Sequence, residues 1–250
     1  MIDKFMQYPV GNTLAVIVLI ALIVTWLTSL ILTLRDAPVQ TDKGWFAWLL
    51  PIFTVLGIPA TLDLLQTGGM TFLFAAITLV IFVLNIVIPI LRIQGKSSHP
   101  LVTDWYKWVI PIAVVGGLIV SGYLTFVEST GTPPVCGPTG GCEEVQSSKY
   151  AILFGVLPVG LLGFIGNIAI LASWLAWQFG PASIRKLAVL AMWGMGVFGV
   201  LFSIYLTFLE PLVIGATCMW CICSAVIMII LLLASTPFAQ QAFAIADDDE

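Results

Sequence analysis

The chain has 250 residues, of which 60% are hydrophobic and only 9% charged, with a net charge of -4 and a mean hydropathy of +1.10. That composition belongs to a polytopic helical membrane protein, and its few, scattered basic residues exclude a nucleic-acid surface. The one histidine, His99, stands in a polar loop and gives little basis for His-based metal or haem ligation.

A bilayer core about 30 Å thick takes roughly 20 apolar residues per helix. Spans are therefore expected at 12–34, 45–65, 70–91, 108–127, 152–178, 187–209 and 217–235, seven in all. The first is too long for a signal peptide and lacks a small-residue cleavage site, so it reads as a retained helix. The second carries Pro51, Pro59 and Asp63; the third carries Asn85, a residue that commonly glues helices together. With the N-terminus outside, Arg35, Lys43, Arg92, Lys96, Lys107, Arg185 and Lys186 all fall inside, as the positive-inside rule requires. Only Lys4 and Lys149 then lie outside, and Trp45, Trp48, Trp105, Trp108, Trp174 and Trp177 gather near the inner interface. The chain divides into a membrane extension of about three helices (1–100), a four-helix core (101–237) and a polar acidic tail (238–250) ending in Asp247-Asp248-Asp249-Glu250.

Two cysteine pairs follow long apolar helices. Cys136 and Cys142 flank a loop of Gly137, Pro138, Thr139, Gly140 and Gly141, and Cys218-Met219-Trp220-Cys221 is a C-x-x-C that opens an apolar run. In the seven-span topology both pairs share the extracytoplasmic side, where disulfides form and persist. A C-x-x-C closes an easily exchanged disulfide, and a helix N-terminus favours thiolate; Thr217 is the expected cap. The glycines and proline of the loop predict that it swings between a partner and the membrane surface. Two readings of the loop pair stand, a redox couple or a structural staple, and four thiolates are also a zinc set by residue type. The fifth cysteine, Cys223, reads as buried packing.

An internal repeat adds weight. Ser121-Gly122-Tyr123-Leu124-Thr125-Phe126-Val127-Glu128 matches Ser203-Ile204-Tyr205-Leu206-Thr207-Phe208-Leu209-Glu210 at six of eight positions, and the same offset of 82 carries Cys136 onto Cys218. Chance similarity of apolar helix ends and an old hairpin duplication both account for it. Glu128 and Glu210 are read as markers of the membrane surface.

Together these residues resemble the bacterial homologues of vitamin K epoxide reductase. The likeness rests on the loop pair, on Glu143-Glu144-Val145-Gln146-Ser147-Ser148-Lys149-Tyr150, with Ser148 six residues past the second cysteine, and on the late C-x-x-C-x-x-S-A from Cys218 to Ala225. It also rests on Leu157-Pro158-Val159-Gly160-Leu161-Leu162-Gly163 and on the Tyr205-Leu206 helix, and covers about residues 100–237. The order, loop pair first and C-x-x-C last, differs from that of the functionally related DsbB oxidoreductases. Ala225 stands where animal members carry a tyrosine, so activity on vitamin K epoxide is not implied.

What the resemblance implies is an all-α membrane enzyme with a thiol relay. A separate extracytoplasmic thioredoxin-like (DsbA-like) protein would reduce the Cys136–Cys142 disulfide by attack at Cys136. Cys142 would then attack Cys218, leaving Cys221 to reduce ubiquinone or menaquinone. Ser148 matches a family serine near the quinone or loop cysteine, and capping of the next helix is its ordinary alternative. The apolar Trp220 is a candidate quinone contact. The expected function is disulfide formation at the cell (inner) membrane. Its alternatives are a carrier of reducing equivalents across the bilayer and a non-catalytic scaffold stapled by disulfides.

Overall fold

The computed structural model describes residues 6–34, 106–136, 141–153 and 155–247. Its elements are α1 (Pro9–Leu34), α2 (Tyr106–Thr130), α3 (Cys142–Gln146), β1 (Ile152–Leu153), β2 (Leu157–Pro158), α4 (Val159–Phe179), α5 (Ala182–Leu209), a π turn (Glu210–Ile214) and α6 (Met219–Asp247). Among the described residues five helices are long and apolar enough to cross a membrane. The expected spans at 45–65 and 70–91, with Asp63 and Asn85, lie outside the described residues, as do Trp45, Trp48, Trp105 and His99.

In a bilayer every backbone group must be satisfied within the protein, which is why the chain resolves into long helices. Hydroxyls inside them follow the same demand: Ser121 Oγ donates to Gly117 O at 2.6 Å and Thr125 Oγ1 to Ser121 O at 2.7 Å. α2 packs on α4 and α6, α4 on α5, and α5 on α6, closing a four-helix ring. α6 is buried on every side along Ile229, Leu231, Leu232, Leu233 and Ala234, as expected of a helix that is apolar all round. α1 packs against α5 and α6, and Ser29 Oγ bonds Thr236 Oγ1 at 2.8 Å and accepts from Trp193 Nε1 at 3.1 Å.

Three boundaries differ from the expectation. The fifth span begins at Val159, not 152, because Ile152–Leu153 pairs antiparallel with Leu157–Pro158 in a small hairpin ahead of it. The sixth is α5 prolonged by the π turn, whose Gly215 N bonds Glu210 O at 2.8 Å. The seventh continues through Pro237 to Asp247, so residues 238–247 are helix. There Phe238, Ala239 and Ala242 are buried and the Phe238 ring lies 4.4 Å from Trp177; a membrane helix tolerates proline where neighbours supply the packing.

The aromatic residues Trp108 and Trp174, 6.3 Å apart, mark one end of the bundle with Trp177. The end of α2, the π turn and the start of α6 meet at the other, where all five cysteines lie.

Candidate redox site

The first cysteine pair is held in shape locally. Cys142 opens the single-turn helix α3, and its N–H donates to Cys136 Sγ at 3.1 Å. Gly141, just ahead, is required by a close approach: a Cβ there would stand 2.8 Å from Ala216 Cβ and 2.9 Å from Thr217 N. The missing side chain lets the chain carrying Cys142 lie directly on the turn that carries Cys218. On the outer side Tyr123 and Trp220 form a clamp with rings 4.4 Å apart. Val135 N donates to Tyr123 Oη at 2.7 Å, and Trp220 Nε1 donates to Val135 O at 2.9 Å, so the residue before Cys136 is gripped through both backbone groups.

The second pair is positioned by the π turn. π turns recur at functional sites because they re-aim a side chain out of the α-helical ladder. This one ends at Gly215, whose φ of 86° no β-carbon-bearing residue adopts cheaply. Glu210, 3% exposed, is turned inward, and its Oε2 accepts the Cys218 N–H at 3.1 Å. The expected cap, Thr217, instead donates its hydroxyl to Asn12 Oδ1 at 2.9 Å, while Asn12 Nδ2 donates to Gly215 O at 3.0 Å. A carboxylate therefore supplies the acceptor at the start of α6.

The result is a file of four thiols. Cys142 and Cys218 pack together, with Cys136 against them on the loop side and Cys221 on the helix side. Cys142 and Cys218 are fully buried, packed with Val145 and Ala216, and Tyr8, Ile214 and Trp220 close over them. Burial, then the neighbouring Cys142 thiol, pushes the Cys136 thiol up to about 11. Cys142 is pushed up further, first by its hydrogen bond with Cys218 and then by burial. From α3, Gln146 Nε2 reaches 3.9 Å from Cys218 Sγ and 4.0 Å from Cys221 Sγ.

Residues 107–236 match the Vitamin K epoxide reductase family. The chain belongs to that family. It is also 31% identical over 113 residues to the "Thiol-disulfide oxidoreductase LTO1" of Arabidopsis thaliana, covering 43% of this chain and 30% of that protein. The chain thus spans less than a third of that relative's length. No solved structure matches. Both likenesses agree with a multi-pass membrane protein of the oxidoreductase class.

Within this vitamin K epoxide reductase core, an apolar cleft of about 230 Å³ lies beyond Cys221, between α2, α4, α5 and α6. Leu162, Phe202, Leu206, Ala225 and Met228 line it with Cys221, and Ser203 and Ser224 add hydroxyls. Apolar walls with hydroxyl donors beside a thiol suit a quinone head group in chemistry, and these are the residues that would hold one.

Several expectations are redrawn. Trp220 is not among the residues lining that cleft; it clamps the loop at Val135. Ser148 donates to Val145 O at 2.7 Å, closing α3, and lines a second, smaller cavity that Cys221 also borders. Cys223 is exposed, not buried, because α6 turns it outward two residues past Cys221. Glu128 and Glu210 are not free acids at the helix ends: each reaches inward to a backbone N–H at the start of a later membrane helix, Gly160 N at 2.8 Å and Cys218 N at 3.1 Å. The repeat was the available signal, since it places an acid at the same point of two apolar helices. Asn12 and Gln146 had none, since each acts across a long sequence separation.

Proposed function

We propose that the chain is a quinone-dependent thiol oxidoreductase that reoxidises an extracytoplasmic thioredoxin-like protein and so supports disulfide formation. One observation carries the reading: the four thiols form a single file whose outer member, Cys136, sits on a loop and whose inner member, Cys221, borders an apolar cleft. Thiol exchange proceeds by attack of one sulfur on a neighbouring disulfide, so a file of touching cysteines is a route for electron pairs.

In this route a partner thiolate attacks Cys136 of a Cys136–Cys142 disulfide, and the freed Cys142 attacks Cys218 of a Cys218–Cys221 disulfide. Cys221 is released; the partner's second thiolate then attacks the partner's own sulfur in the mixed disulfide, which oxidises the partner and frees Cys136, and attack by Cys136 on Cys142 frees Cys218. Each exchange conserves one disulfide. Bound in the cleft, a quinone supplies a two-electron acceptor. The cleft excludes water, the Tyr123–Trp220 clamp presents Cys136, and Gln146 orients the inner sulfurs.

That all five cysteines lie at one end favours this reading over a carrier of reducing equivalents through the bilayer, which needs a thiol at the Trp108–Trp174 end.

The test is anaerobic quinone reduction by the purified protein with a reduced thioredoxin-like donor. Turnover is expected with the native chain and its loss with Cys221→Ala; a scaffold would keep its function in that variant. A mixed disulfide with the donor should be trapped at Cys136 in Cys142→Ser. Trapping at Cys218 would reverse the order of the route. Labelling of Cys136 from the cytoplasmic side alone would remove the extracytoplasmic assignment.

A further inference from the structure

Cys221 stands between two spaces. On one side is the apolar cleft; on the other is a cavity of about 40 Å³, large enough for a water molecule. Leu124, Val159, Leu206 and Cys221 border both. Both are walled mainly by apolar groups, but the residues bordering the smaller cavity include Glu128, Gln146, Ser148, Tyr150 and Glu210. Among them, Gln146 Oε1 is buried with no protein partner.

The route above supplies electron pairs, and each pair brings protons. When Cys218 and Cys221 become a disulfide, two S–H bonds break and one S–S bond forms. The two electrons and two protons that leave the sulfurs are those a quinone needs to become a quinol. A thiol walled off by apolar side chains has no bulk water to take its proton, so a positioned base is needed. Glu210 is placed for this. It borders the small cavity together with Cys221, and its Oε2 already holds the backbone N–H of Cys218, the other cysteine of the pair. Glu128 reaches the same cavity from α2 and is fixed there by Gly160 N.

We propose that Glu210 is a catalytic proton acceptor: its carboxylate takes the proton of Cys221, passes it across the cavity to Glu128, and is then free to take the proton of Cys218. Both protons then leave the two carboxyls for the reduced quinone, which becomes quinol, and the acids are carboxylates again. The inference rests on the thiol-to-quinone reading. It gives the two halves of the repeat separate tasks, because the acid ending α5 takes the proton of the sulfur and the acid ending α2 only stores it.

Glu210→Gln separates this role from helix capping, because the amide oxygen still accepts from Cys218 N–H and cannot take a proton. Infrared difference spectra of the purified full-length protein, cycled between dithiol and disulfide with a phosphine and diamide, read the carboxyls directly. With 13C-labelled glutamate, a protonated-carboxyl band should change with the redox state of the thiols and vanish in Glu210→Gln. In turnover, kcat should fall about 100-fold or more in Glu210→Gln, with the KM for quinone within about twofold, and Glu210→Asp should recover part of the loss.

A Glu210→Gln protein with native kcat and an unchanged carboxyl band would overturn the proposal. So would the absence of any redox-linked glutamate band in the native chain, a measurement that needs no variant to fold. If the native protein shows the band but never reduces quinone, the functional reading fails while the proton-acceptor role of Glu210 stands.

Discussion

Trp220, inside the C-x-x-C, donates its indole N–H to the carbonyl of Val135, the residue before Cys136, at 2.9 Å. One cysteine motif thus holds the loop that carries the other. Trp220→Phe keeps an aromatic face for Tyr123 and removes the donor. A net hydrogen bond contributes about 0.5–1.5 kcal/mol, so amide exchange in the segment around Val135 and Cys136 should quicken by roughly two- to tenfold. Unchanged exchange by mass spectrometry would show that the ring contact alone secures the loop.

The outer cysteine should need alkaline conditions to react as a free thiol. Its burial and the adjacent Cys142 favour the protonated form, and the thiolate grows as pH rises toward about 11. Alkylation of the reduced protein at Cys136 should climb about tenfold per pH unit across the neutral range. Cys142, shifted further in the same direction, should lag behind it at every pH. Peptide mapping after timed iodoacetamide treatment checks both, and Cys142 reacting first would contradict the burial order of the file.

Asn12 is fully buried and divides its amide between Gly215 O and the Thr217 hydroxyl. Asn12→Ala leaves both without that partner, a cost of about 1–3 kcal/mol, read as a lowered midpoint in thermal unfolding. Adding Thr217→Val to the same chain removes one of the stranded groups and should recover part of the loss. No recovery would mean that the Gly215 contact dominates.

Gly141→Ala tests whether the two pairs must approach as closely as they do. The added methyl meets Ala216 Cβ at 2.8 Å and backbone at Thr217 N at 2.9 Å, and backbone cannot rotate away. In a chain carrying Cys136→Ser and Cys221→Ser, oxidation should cross-link Cys142 to Cys218. The methyl should slow that cross-link by about tenfold or more, the yield expected from roughly 1.4 kcal/mol or more of steric cost. Native-rate cross-linking would show that the turn yields.

Periodicity and composition made the helices at 108–127, 187–209 and 217–235 legible, because a bilayer demands long uninterrupted apolar stretches. The same logic extended the fifth span too early: Ile152 and Leu153 are apolar enough for a membrane helix, yet they pair with Leu157 and Pro158. It also stopped the seventh too early, since neither Pro237 nor the polar Gln240 and Gln241 announces that Phe238 and Ala242 are buried by neighbours. At the site, the four cysteines stood out by spacing and by following the same ends of two apolar helices. Glu210 was visible as an acid but not as a buried one, because its direction depends on a π turn that no spacing encodes. Trp220 was read from its apolar character, whereas its indole N–H decides where it goes.

The family likeness begins at residue 107, but the amide that completes the turn before Cys218 belongs to α1. A chain shortened to the matched stretch would carry every sulfur and still lack an atom that its own second motif uses. The kinship therefore marks where the chemistry is written, while part of the bonding that shapes the turn ahead of it comes from as far back as Asn12.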